Sequence, residues 1–290
     1  MTRSDGRLGL VMEGGAMRGM FTAGVTDVLM ERGICFDGAV GVSAGAAFGC
    51  NVKSGQAGRV IRYNMRFCRD WRYCGLRSLV RTGDLYGADF CYHQIPDRLD
   101  PFDYDAYNRS PMEFYVVCTD ASTGRPVYRA CPVADDGDTM RFMRASASMP
   151  GVSRPVEIGG QRLLDGGISD SIPLAWFESI GYQRNVVILT RPAGYEKKPN
   201  PLLPLLRPAL RGFPAVYEAL RVRHAVYNRQ VSYVKAREEA GAAFVFRPEA
   251  PLPVGHVTHN PASLEAAYRM GREAAERQFD SLQRFILKKF

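Results

Sequence analysis

Gly38-Ala39-Val40-Gly41-Val42-Ser43-Ala44-Gly45 decides the fold, because an apolar run leads directly into a serine flanked by glycines. The run from Phe36 to Val42 predicts a buried strand, and the small residues after it predict a helix over about 43–52. A serine at a sharp strand-to-helix turn projects its hydroxyl from the end of a sheet, where a substrate can reach it. Gly41 and Gly45 allow the turn to be tight and neighbouring segments to approach closely. Ser43 is therefore the candidate nucleophile.

The bulk composition is that of a globular chain with a basic surface. The 290 residues are 46% hydrophobic and 23% charged, and the formal net charge is +8. This length accommodates one large domain or two small ones. We interpret most of the arginines as a solvated surface, and affinity for anionic lipid is the alternative. Since no zinc-binding spacing, RNA-binding aromatic motif or helix-turn-helix signal accompanies the charge, nucleic acid is not expected as a partner.

The cysteines and the apolar runs indicate the compartment. An odd set of seven cysteines without a Cys-x-x-Cys pair favours buried free thiols in a reducing compartment, and neither a disulfide framework nor a zinc site. We see no apolar stretch of membrane-spanning length and no secretory signal at the polar N-terminus. The expected location is cytoplasmic, with peripheral membrane contact left open.

Strands alternate with helices along the first two thirds of the chain. Leu8 to Met12 predicts a short strand, followed by a glycine-rich loop and a helix from about Arg18 to Arg32. Later segments repeat the alternation, with strands at 113–119 and 185–190 and a helix at 139–147. We expect an α/β fold with three α/β/α layers and a mainly parallel central sheet.

The character of the sequence changes after Arg191. Residues 199–214 are rich in proline, leucine and arginine, and favour a connector packed on the domain over a lid that meets anionic lipid. Long helices are predicted at 215–240 and from Pro261 onward, with a last strand at 243–246 between them. We expect a catalytic domain over 1–195 and a mostly helical portion over 196–290 packed on it.

Acyl transfer by serine also requires donors for the developing oxyanion. The amides of Gly14, Gly15 and Ala16 suit this role, because glycines let successive N–H groups point at one place. The helix that follows adds a partial positive field, and the Ala44 amide adds a further donor. These four residues are the predicted oxyanion hole.

Asp165 is the candidate base. It follows an apolar strand and precedes Gly166-Gly167, at a position from which a loop can present a carboxylate to Ser43. Burial would raise the proton affinity of this carboxylate and make a Ser–Asp dyad chemically feasible. The alternative is an α/β-hydrolase triad with His256 or His259, which is disfavoured because Ser43 lies so early in the chain.

The glycine-rich loop ending in Arg18-Gly19, the Gly-x-Ser-x-Gly motif and the downstream Asp165-Gly166-Gly167 resemble those of the patatin-like phospholipase family. The resemblance covers about Leu8 to Pro173. It implies the three-layer fold and serine-dependent hydrolysis of acyl esters in lipids without metal or cofactor. It further implies that Ser43 and Asp165 act as nucleophile and base, with Arg18, Gly166 and Gly167 as loop support.

Two residues depart from the family pattern. Glu13 stands where the loop usually opens with a further glycine, and a carboxylate there can weaken an oxyanion hole unless it points away or pairs with an arginine. Ser171 stands where the family often has asparagine, which changes a loop-bracing hydrogen bond. Because of Glu13, a catalytically weak or inactive lipid- or acyl-binding protein of the same fold is the alternative to a lipid hydrolase.

Overall fold

An eight-stranded β-sheet lies at the centre of the computed structural model, which describes residues 6–134 and 137–288. The expected absence of a secretory signal concerns the N-terminus. Residues 1–5 of that segment lie outside the described residues. The strands are β1 (Leu8–Met12), β2 (Gly38–Val42), β3 (Glu113–Asp120), β4 (Pro126–Ala130), β5 (Val156–Ile158), β6 (Gln161–Asp165), β7 (Arg184–Ile188) and β8 (Ala243–Phe246). Their order is β5-β6-β3-β2-β1-β7-β8, with β4 also paired to β3.

Helices surround the sheet. They are α1 (Gly19–Glu31), α2 (Ala44–Lys53), α3 (Arg59–Phe67), α4 (Leu76–Thr82), α5 (Tyr104–Arg109), α6 (Asp138–Ser146), α7 (Leu174–Ser179), α8 (Leu203–Leu206), α9 (Pro214–Glu239) and α10 (Pro261–Leu287). Short 3₁₀ turns lie at Ala16–Arg18 and Gly166–Ile168, and a π-helix covers Phe90–Leu99.

The strands are parallel in most of the sheet and antiparallel at one edge. β3, β2, β1, β7 and β8 pair in parallel, which confirms the predicted parallel core. The pairs β3–β4, β3–β6 and β5–β6 are antiparallel, so the sheet is mixed. Short connections cause part of this: Gly159 and Gly160, both at positive φ, are the whole link between β5 and β6. So short a turn joins antiparallel neighbours only.

Alternate residues of the strands face two different helical layers, as a strand's pleat requires. Leu10 and Met12 of β1 pack in a cluster with apolar residues of α1, α2, α6 and α10. Val11, between them, packs instead with residues of α7 and α9. Burying each such side chain contributes about 1.5–3 kcal/mol. The three-layer α/β/α architecture is therefore confirmed.

The C-terminal portion contributes to all three layers. β8 pairs with β7 at the sheet edge, α9 covers one face and α10 packs against α1 on the other. The α1–α10 contact is close, since a β-carbon at Gly24 would lie 2.1 Å from the Tyr268 carbonyl oxygen. A β-carbon at Gly271 would lie equally close to the Phe21 carbonyl oxygen, at 2.1 Å. The division into 1–195 and 196–290 stays a prediction.

Two findings bear on the expected environment of the chain. No disulfide joins any of the seven cysteines, all of which lie in the described residues; five are buried, whereas Cys91 is half-buried and Cys35 is exposed. The prediction of buried thiols is thus wrong for Cys35, which lies after the end of α1 and outside the core. Within 6–134 and 137–288, no helix is both long and apolar enough to cross a membrane.

Candidate active site

Ser43 occupies the sharp turn between β2 and α2. Its backbone has φ 54° and ψ −122°, a conformation that costs a residue with a side chain about 1–3 kcal/mol. The flanking glycines are required by close contacts: a β-carbon at Gly41 would lie 2.4 Å from the Gly45 carbonyl oxygen. One at Gly45 would lie 2.4 Å from the Met12 carbonyl oxygen. The Ser43 amide donates to Ser146 Oγ at 2.8 Å, which braces the turn from α6.

The register along β3 brings Asp165 to Ser43. β4 occupies one edge of β3 from Tyr115 to Thr119, so β2 and β6 share the other edge. Val42 at the end of β2 is paired with Val117, and Asp165 at the end of β6 is paired with the next residue, Cys118. The two strands therefore meet end to end. Ser43 Oγ donates a hydrogen bond to Asp165 Oδ2 at 2.8 Å.

Asp165 is buried, with 3% of its surface exposed, and it is held at several atoms. The Gly167 amide donates to Oδ1 at 2.7 Å, and Thr119 Oγ1 donates to the Asp165 carbonyl at 2.8 Å. Burial raises the pKa of Asp165; the charge of Arg223 and the hydrogen bonds from Ser43 and Gly167 oppose this rise. Such a carboxylate is a better proton acceptor than an exposed one.

The loop after Asp165 is fixed by close packing and by α9. A β-carbon at Gly166 would lie 2.1 Å from the Val117 carbonyl oxygen, so only glycine fits there. Arg223 of α9 donates from Nε to the Gly167 carbonyl. Ser171 Oγ donates to the same carbonyl at 2.9 Å, so serine at this position braces the loop through its own hydrogen bond. Gly166 and Gly167 thus lie where the sequence analysis expects loop support.

The glycine-rich loop follows β1, whose Met12 is paired with Gly41 of β2. A β-carbon at Gly14 would lie 2.9 Å from the Val42 carbonyl oxygen and 3.0 Å from Ser43 Cβ. Ala16 adopts φ 48°, the left-handed region, as the loop turns into α1. In the described part of the chain, the amides of Gly14, Gly15, Ala16 and Ala44 donate to no protein acceptor. Those four amides can therefore bind an acceptor that the protein does not supply.

Glu13 is turned into the α9 side of the molecule. Its Oε1 accepts from the Tyr227 hydroxyl at 2.8 Å, and its Oε2 accepts from the Thr190 amide at 2.5 Å. Both carboxylate oxygens are thus used away from the Ser43 hydroxyl. Of the two conditions set out for this residue, the structure meets the first, since both carboxylate oxygens accept hydrogen bonds from other groups. No ion pair within 4.0 Å joins Glu13 to an arginine among the described residues, although its charge acts on the nearby Arg18.

Arg18 lies on the same side as Glu13. Its Nε donates to Thr190 Oγ1 at 3.4 Å, and its side chain is 8% exposed. Burial and the nearby charge of Arg191 lower the pKa of Arg18, while Glu13 raises it. Arg18 therefore braces the start of α1 against the end of β7, consistent with its expected place in the loop.

An apolar cleft with a cavity volume of about 130 Å³ opens beside Ser43. Ser43, Ala16 and Ala44 form part of its wall, so the hydroxyl and two of the predicted oxyanion residues face one space. The remaining lining is mostly apolar and aromatic and includes Phe48, Tyr63, Ile95, Phe102 and Met143. A cleft with this lining can hold an acyl chain with its carbonyl at Ser43.

The two histidines of the alternative triad have other partners. His259 Nδ1 lies 2.6 Å from the Cys68 carbonyl oxygen, and the His256 carbonyl accepts from the Tyr86 hydroxyl at 2.7 Å. Neither imidazole is bonded to Ser43 among the described contacts, where Asp165 is the partner of Oγ. Within residues 6–134 and 137–288, no group of three or more His, Cys, Asp or Glu is placed to hold a metal ion.

Sequence reasoning missed four residues that fix this site. Ser146 bonds the Ser43 amide, Arg223 bonds the Gly167 carbonyl, and Thr190 and Tyr227 hold Glu13. Arg223 and Tyr227 are four residues apart on α9 and so share one face of that helix. This spacing was the one feature of the sequence that could have pointed to the two residues together.

Two family models match the chain. The patatin-like phospholipase model matches residues 10–176, which is more than half of the chain, and a domain of unknown function (DUF6363) matches residues 213–287. The crystal structure of VipD from Legionella pneumophila superposes on this chain with a TM-score of 0.47 at 13% identity. The match includes 95% of this chain and 67% of the VipD chain.

Curated relatives resemble about 60 to 65% of the chain. The uncharacterized protein YjjU of Escherichia coli (strain K12) is 35% identical over 197 residues, 65% of this chain and 53% of that protein. An uncharacterized NTE family protein of Mycobacterium tuberculosis is 28% identical over 172 residues, 59% of this chain and 46% of that protein. The lysophospholipase nte1 of Aspergillus oryzae is 28% identical over 179 residues, 60% of this chain and 11% of that protein. The chain thus spans about half the length of these relatives, or less.

Proposed function

Because the chain belongs to the patatin-like phospholipase family, we propose that it hydrolyses carboxylic esters of acyl lipids with Ser43 as nucleophile and Asp165 as base. One observation supports this most strongly. The Ser43 hydroxyl donates to a buried carboxylate at 2.8 Å, at the wall of an apolar cleft. The lysophospholipase name of the Aspergillus oryzae relative agrees with this class of reaction.

The first half of the reaction forms an acyl-enzyme. As Ser43 Oγ attacks the ester carbonyl carbon, its proton passes to Asp165 Oδ2. The negative charge that develops on the carbonyl oxygen is stabilised by the amides of Gly14, Gly15, Ala16 and Ala44. The bond from carbon to the alcohol oxygen then breaks, and the alcohol leaves with the proton held by Asp165.

The second half releases the fatty acid. A water molecule gives a proton to Asp165 and attacks the acyl carbonyl carbon, with the same amides facing the oxyanion. The bond to Ser43 Oγ breaks, and Oγ takes the proton back from Asp165. The raised pKa of Asp165 favours this carboxylate as the proton carrier in both halves.

The environment of Glu13 favours a hydrolase over an inactive lipid-binding protein of the same fold. Its carboxylate is committed to Thr190 and Tyr227, so it does not repel an oxyanion at the loop amides through direct contact. A comparison of ester hydrolysis by wild type and by Ser43→Ala distinguishes the hydrolase from the inactive protein.

Hydrolysis of p-nitrophenyl esters of graded chain length tests the proposal. Wild type is expected to hydrolyse them, longer acyl chains being favoured because the cleft is apolar, and Ser43→Ala is expected to be inactive. Ser281→Ala, which removes an exposed hydroxyl on α10, is the matched control and is expected to retain full activity. Equal rates for wild type and Ser43→Ala at every chain length would favour the binding protein.

Contact with an anionic membrane is a second part of the proposal. Residues 199–214 form α8 and its flanks; Leu203 and Leu210 are buried, whereas Leu202 and Leu205 are 62% and 74% exposed. Arg207 and Arg211 are also exposed. Exposed leucines beside exposed arginines suit the interface of an anionic bilayer, where apolar side chains insert and arginines meet headgroups.

A further inference from the structure

One face of α9 runs along the segments that form the candidate active site. Its inward-facing residues are three or four positions apart, as one face of a helix requires: Val216, Leu220, Arg223, Tyr227, Gln230 and Val234. Near its start, the helix belongs to the same apolar cluster as Leu164, which precedes Asp165. Near its end, it belongs to the same cluster as Val42, which precedes Ser43. α9 is thus packed beside both strands that end at the dyad.

Between these ends, polar side chains of α9 bond two loops of the candidate site. Arg223 donates to the Gly167 carbonyl in the loop after Asp165. Tyr227, about one helical turn later, donates from its hydroxyl to Glu13 Oε1 at 2.8 Å. Glu13 directly precedes residues 14–16, called the oxyanion loop below. One helix therefore holds both the loop of the candidate base and the predicted oxyanion loop.

Tyr227 is a fixed hydrogen-bond donor. It is buried, with 2% of its surface exposed. Its ring meets that of Tyr195 edge to face, with centroids 6.1 Å apart, and Lys197 Nζ lies 4.5 Å from its own centroid. Burial, followed by the charge of Glu13 and the hydrogen bond to it, raises the pKa of Tyr227. The hydroxyl therefore keeps its proton and donates it to Glu13.

Glu13 is a buried carboxylate that the proposed reaction does not use. It is 2% exposed, and its Oε2 accepts from the Thr190 amide at 2.5 Å. The Tyr227 hydroxyl serves the other oxygen. A buried charged group that loses a hydrogen-bond partner carries the full cost of its desolvation. The position of the Glu13 side chain therefore depends on both donors.

The oxyanion loop is tied down at both ends and strained between them. Thr190 joins the two ends, since its amide bonds Glu13 and its hydroxyl accepts from Arg18. Between them, Ala16 is held at φ 48°, in the left-handed region that disfavours a side chain. A strained residue keeps such a conformation only where its surroundings impose it. The anchoring of Glu13 is one of those constraints.

We propose that Tyr227 is a positioning residue: through Glu13, it holds the amides of residues 14–16 at the place where the ester oxyanion forms. The segment matched by a domain of unknown function would thereby take part in the reaction. The proposal rests on the proposed function for the reaction itself. Without the hydroxyl, the Glu13 carboxylate is drawn toward Arg18, on which its charge already acts, and the loop follows it.

Two tyrosine substitutions test the proposal against a purely structural role. Tyr227→Phe removes the hydroxyl that bonds Glu13. Tyr268→Phe removes a hydroxyl that α10 donates to Asp27 at 2.7 Å, and Asp27 is also a buried carboxylate. Asp27 lies about two helical turns into α1, beyond the oxyanion loop. The control thus matches the test variant in chemistry and in the kind of partner, but not in location.

The two variants are expected to differ in kcat. Tyr227→Phe should lower kcat on p-nitrophenyl esters about 10- to 100-fold with KM within about twofold, because misplaced amides weaken the transition state rather than substrate binding. Tyr268→Phe should keep kcat within about twofold of wild type. Both should lose Tm to a similar degree, since each leaves a buried carboxylate without a donor. Equal kcat in the two variants would overturn the proposal.

An alkyl trifluoromethyl ketone reports on the oxyanion hole itself, because its adduct with a serine carries a negatively charged oxygen. For Tyr227→Phe, its Ki is expected to rise by the same factor by which kcat/KM falls. For Tyr268→Phe, its Ki is expected to stay at the wild-type value. A wild-type Ki in Tyr227→Phe would show that the amides have not moved and would refute the positioning role.

A double-mutant cycle tests whether Tyr227 acts through Glu13. Glu13→Gln removes the charge that requires the hydroxyl, so in that background Tyr227→Phe is expected to change kcat less than about threefold. If Glu13→Gln fails to fold, Glu13→Met supplies an uncharged side chain of similar length. A loss as large as in the wild-type background would contradict the path through Glu13.

Glycine amide resonances separate this proposal from the proposed function, since they need no turnover. In protein labelled with ¹⁵N-glycine, the resonances of Gly14 and Gly15 are expected to move in Tyr227→Phe and to stay in place in Tyr268→Phe. Phenylalanine keeps the aromatic ring, so the shift reports on the loop. Unchanged resonances in Tyr227→Phe would refute the positioning role. Moved resonances, together with a wild type that hydrolyses no ester, would reject the proposed function only.

Discussion

Ser43 and Asp165 are 122 residues apart in the sequence, yet the Ser43 hydroxyl donates to the Asp165 carboxylate at 2.8 Å. The contact follows from strand register rather than from loop flexibility. β2 and β6 end at consecutive positions on one edge of β3, so their terminal residues meet. The relative position of the two residues is therefore set by the sheet.

Replacing Asp165 by asparagine is expected to separate activity from stability. Asparagine retains an oxygen that accepts from Gly167 and an amide that can donate to Ser43, but it cannot accept the serine proton. We expect ester hydrolysis to fall by about 10²- to 10⁴-fold.

The stability of the same variant should be retained or raised. The folded-state pKa of Asp165 is raised, so its contribution to stability is present at acidic pH and is lost as pH rises through that pKa. At neutral pH the ionised carboxylate therefore weakens the folded state, and asparagine avoids this cost. Thermal denaturation at pH 7 checks the prediction; a large drop in Tm would mean that Asp165 is a structural residue.

The pH dependence of activity should respond to the charge at position 223. Arg223 lowers the pKa of Asp165, so Arg223→Gln is expected to raise that pKa and move the acidic limb of kcat/KM to higher pH. Arg223→Lys retains the charge and should keep the limb near that of wild type. Arg229→Gln removes a charge from an exposed position on the same helix and serves as control. A limb near pH 6.5 that no substitution at 223 moves would indicate a histidine base instead.

A methyl group at Gly14 should disturb the oxyanion loop. Its β-carbon would lie 2.9 Å from the Val42 carbonyl oxygen and 3.0 Å from Ser43 Cβ, which forces the loop away from the serine. We expect Gly14→Ala to lower kcat by about 10²- to 10³-fold, as loss of an oxyanion donor does. Gly212→Ala adds a methyl with no atom within 4 Å and should behave as wild type. Full activity of Gly14→Ala would exclude this loop from the oxyanion hole.

Membrane contact through residues 199–214 predicts a sedimentation result. Wild type is expected to sediment with phosphatidylglycerol vesicles, and Leu202→Asp with Leu205→Asp is expected to reduce the bound fraction several-fold. Glu239→Asp, at the exposed end of α9, is a control for handling. Equal sedimentation of wild type and the leucine variant would leave the segment as a connector only.

Periodic segments were predicted well from the sequence. The bounds of β1 and β8 match the expected 8–12 and 243–246. The predicted strand at 185–190 is instead β7, Arg184–Ile188, because the Thr190 amide bonds Glu13 rather than a neighbouring strand. Motif order also selected Asp165, whose carboxylate lies 2.8 Å from the Ser43 hydroxyl, whereas the roles of the site residues stay predictions.

Other features depend on contacts that no local pattern encodes. Residues 68–105 contain α4 and a π-helix with Pro96 inside it, and Phe90 of that helix packs edge to face against Phe67 of α3. Their conformation follows from packing around the cleft rather than from periodicity. Likewise, the contacts of Arg223 and Tyr227 with the loops near Ser43 are made across more than 50 residues. Their spacing places both residues on one face of α9 but does not show what that face contacts.

Labelling with a fluorophosphonate, followed by mass-spectrometric mapping of the modified residue, tests the central claim most directly. The reagent reacts with a serine that a nearby base activates, and it needs no knowledge of the natural lipid. A single adduct on Ser43, strongly reduced in Asp165→Asn and lost in Ser43→Ala, is the predicted result. An adduct on another residue, or an unmodified Ser43 in folded wild-type protein, would contradict it.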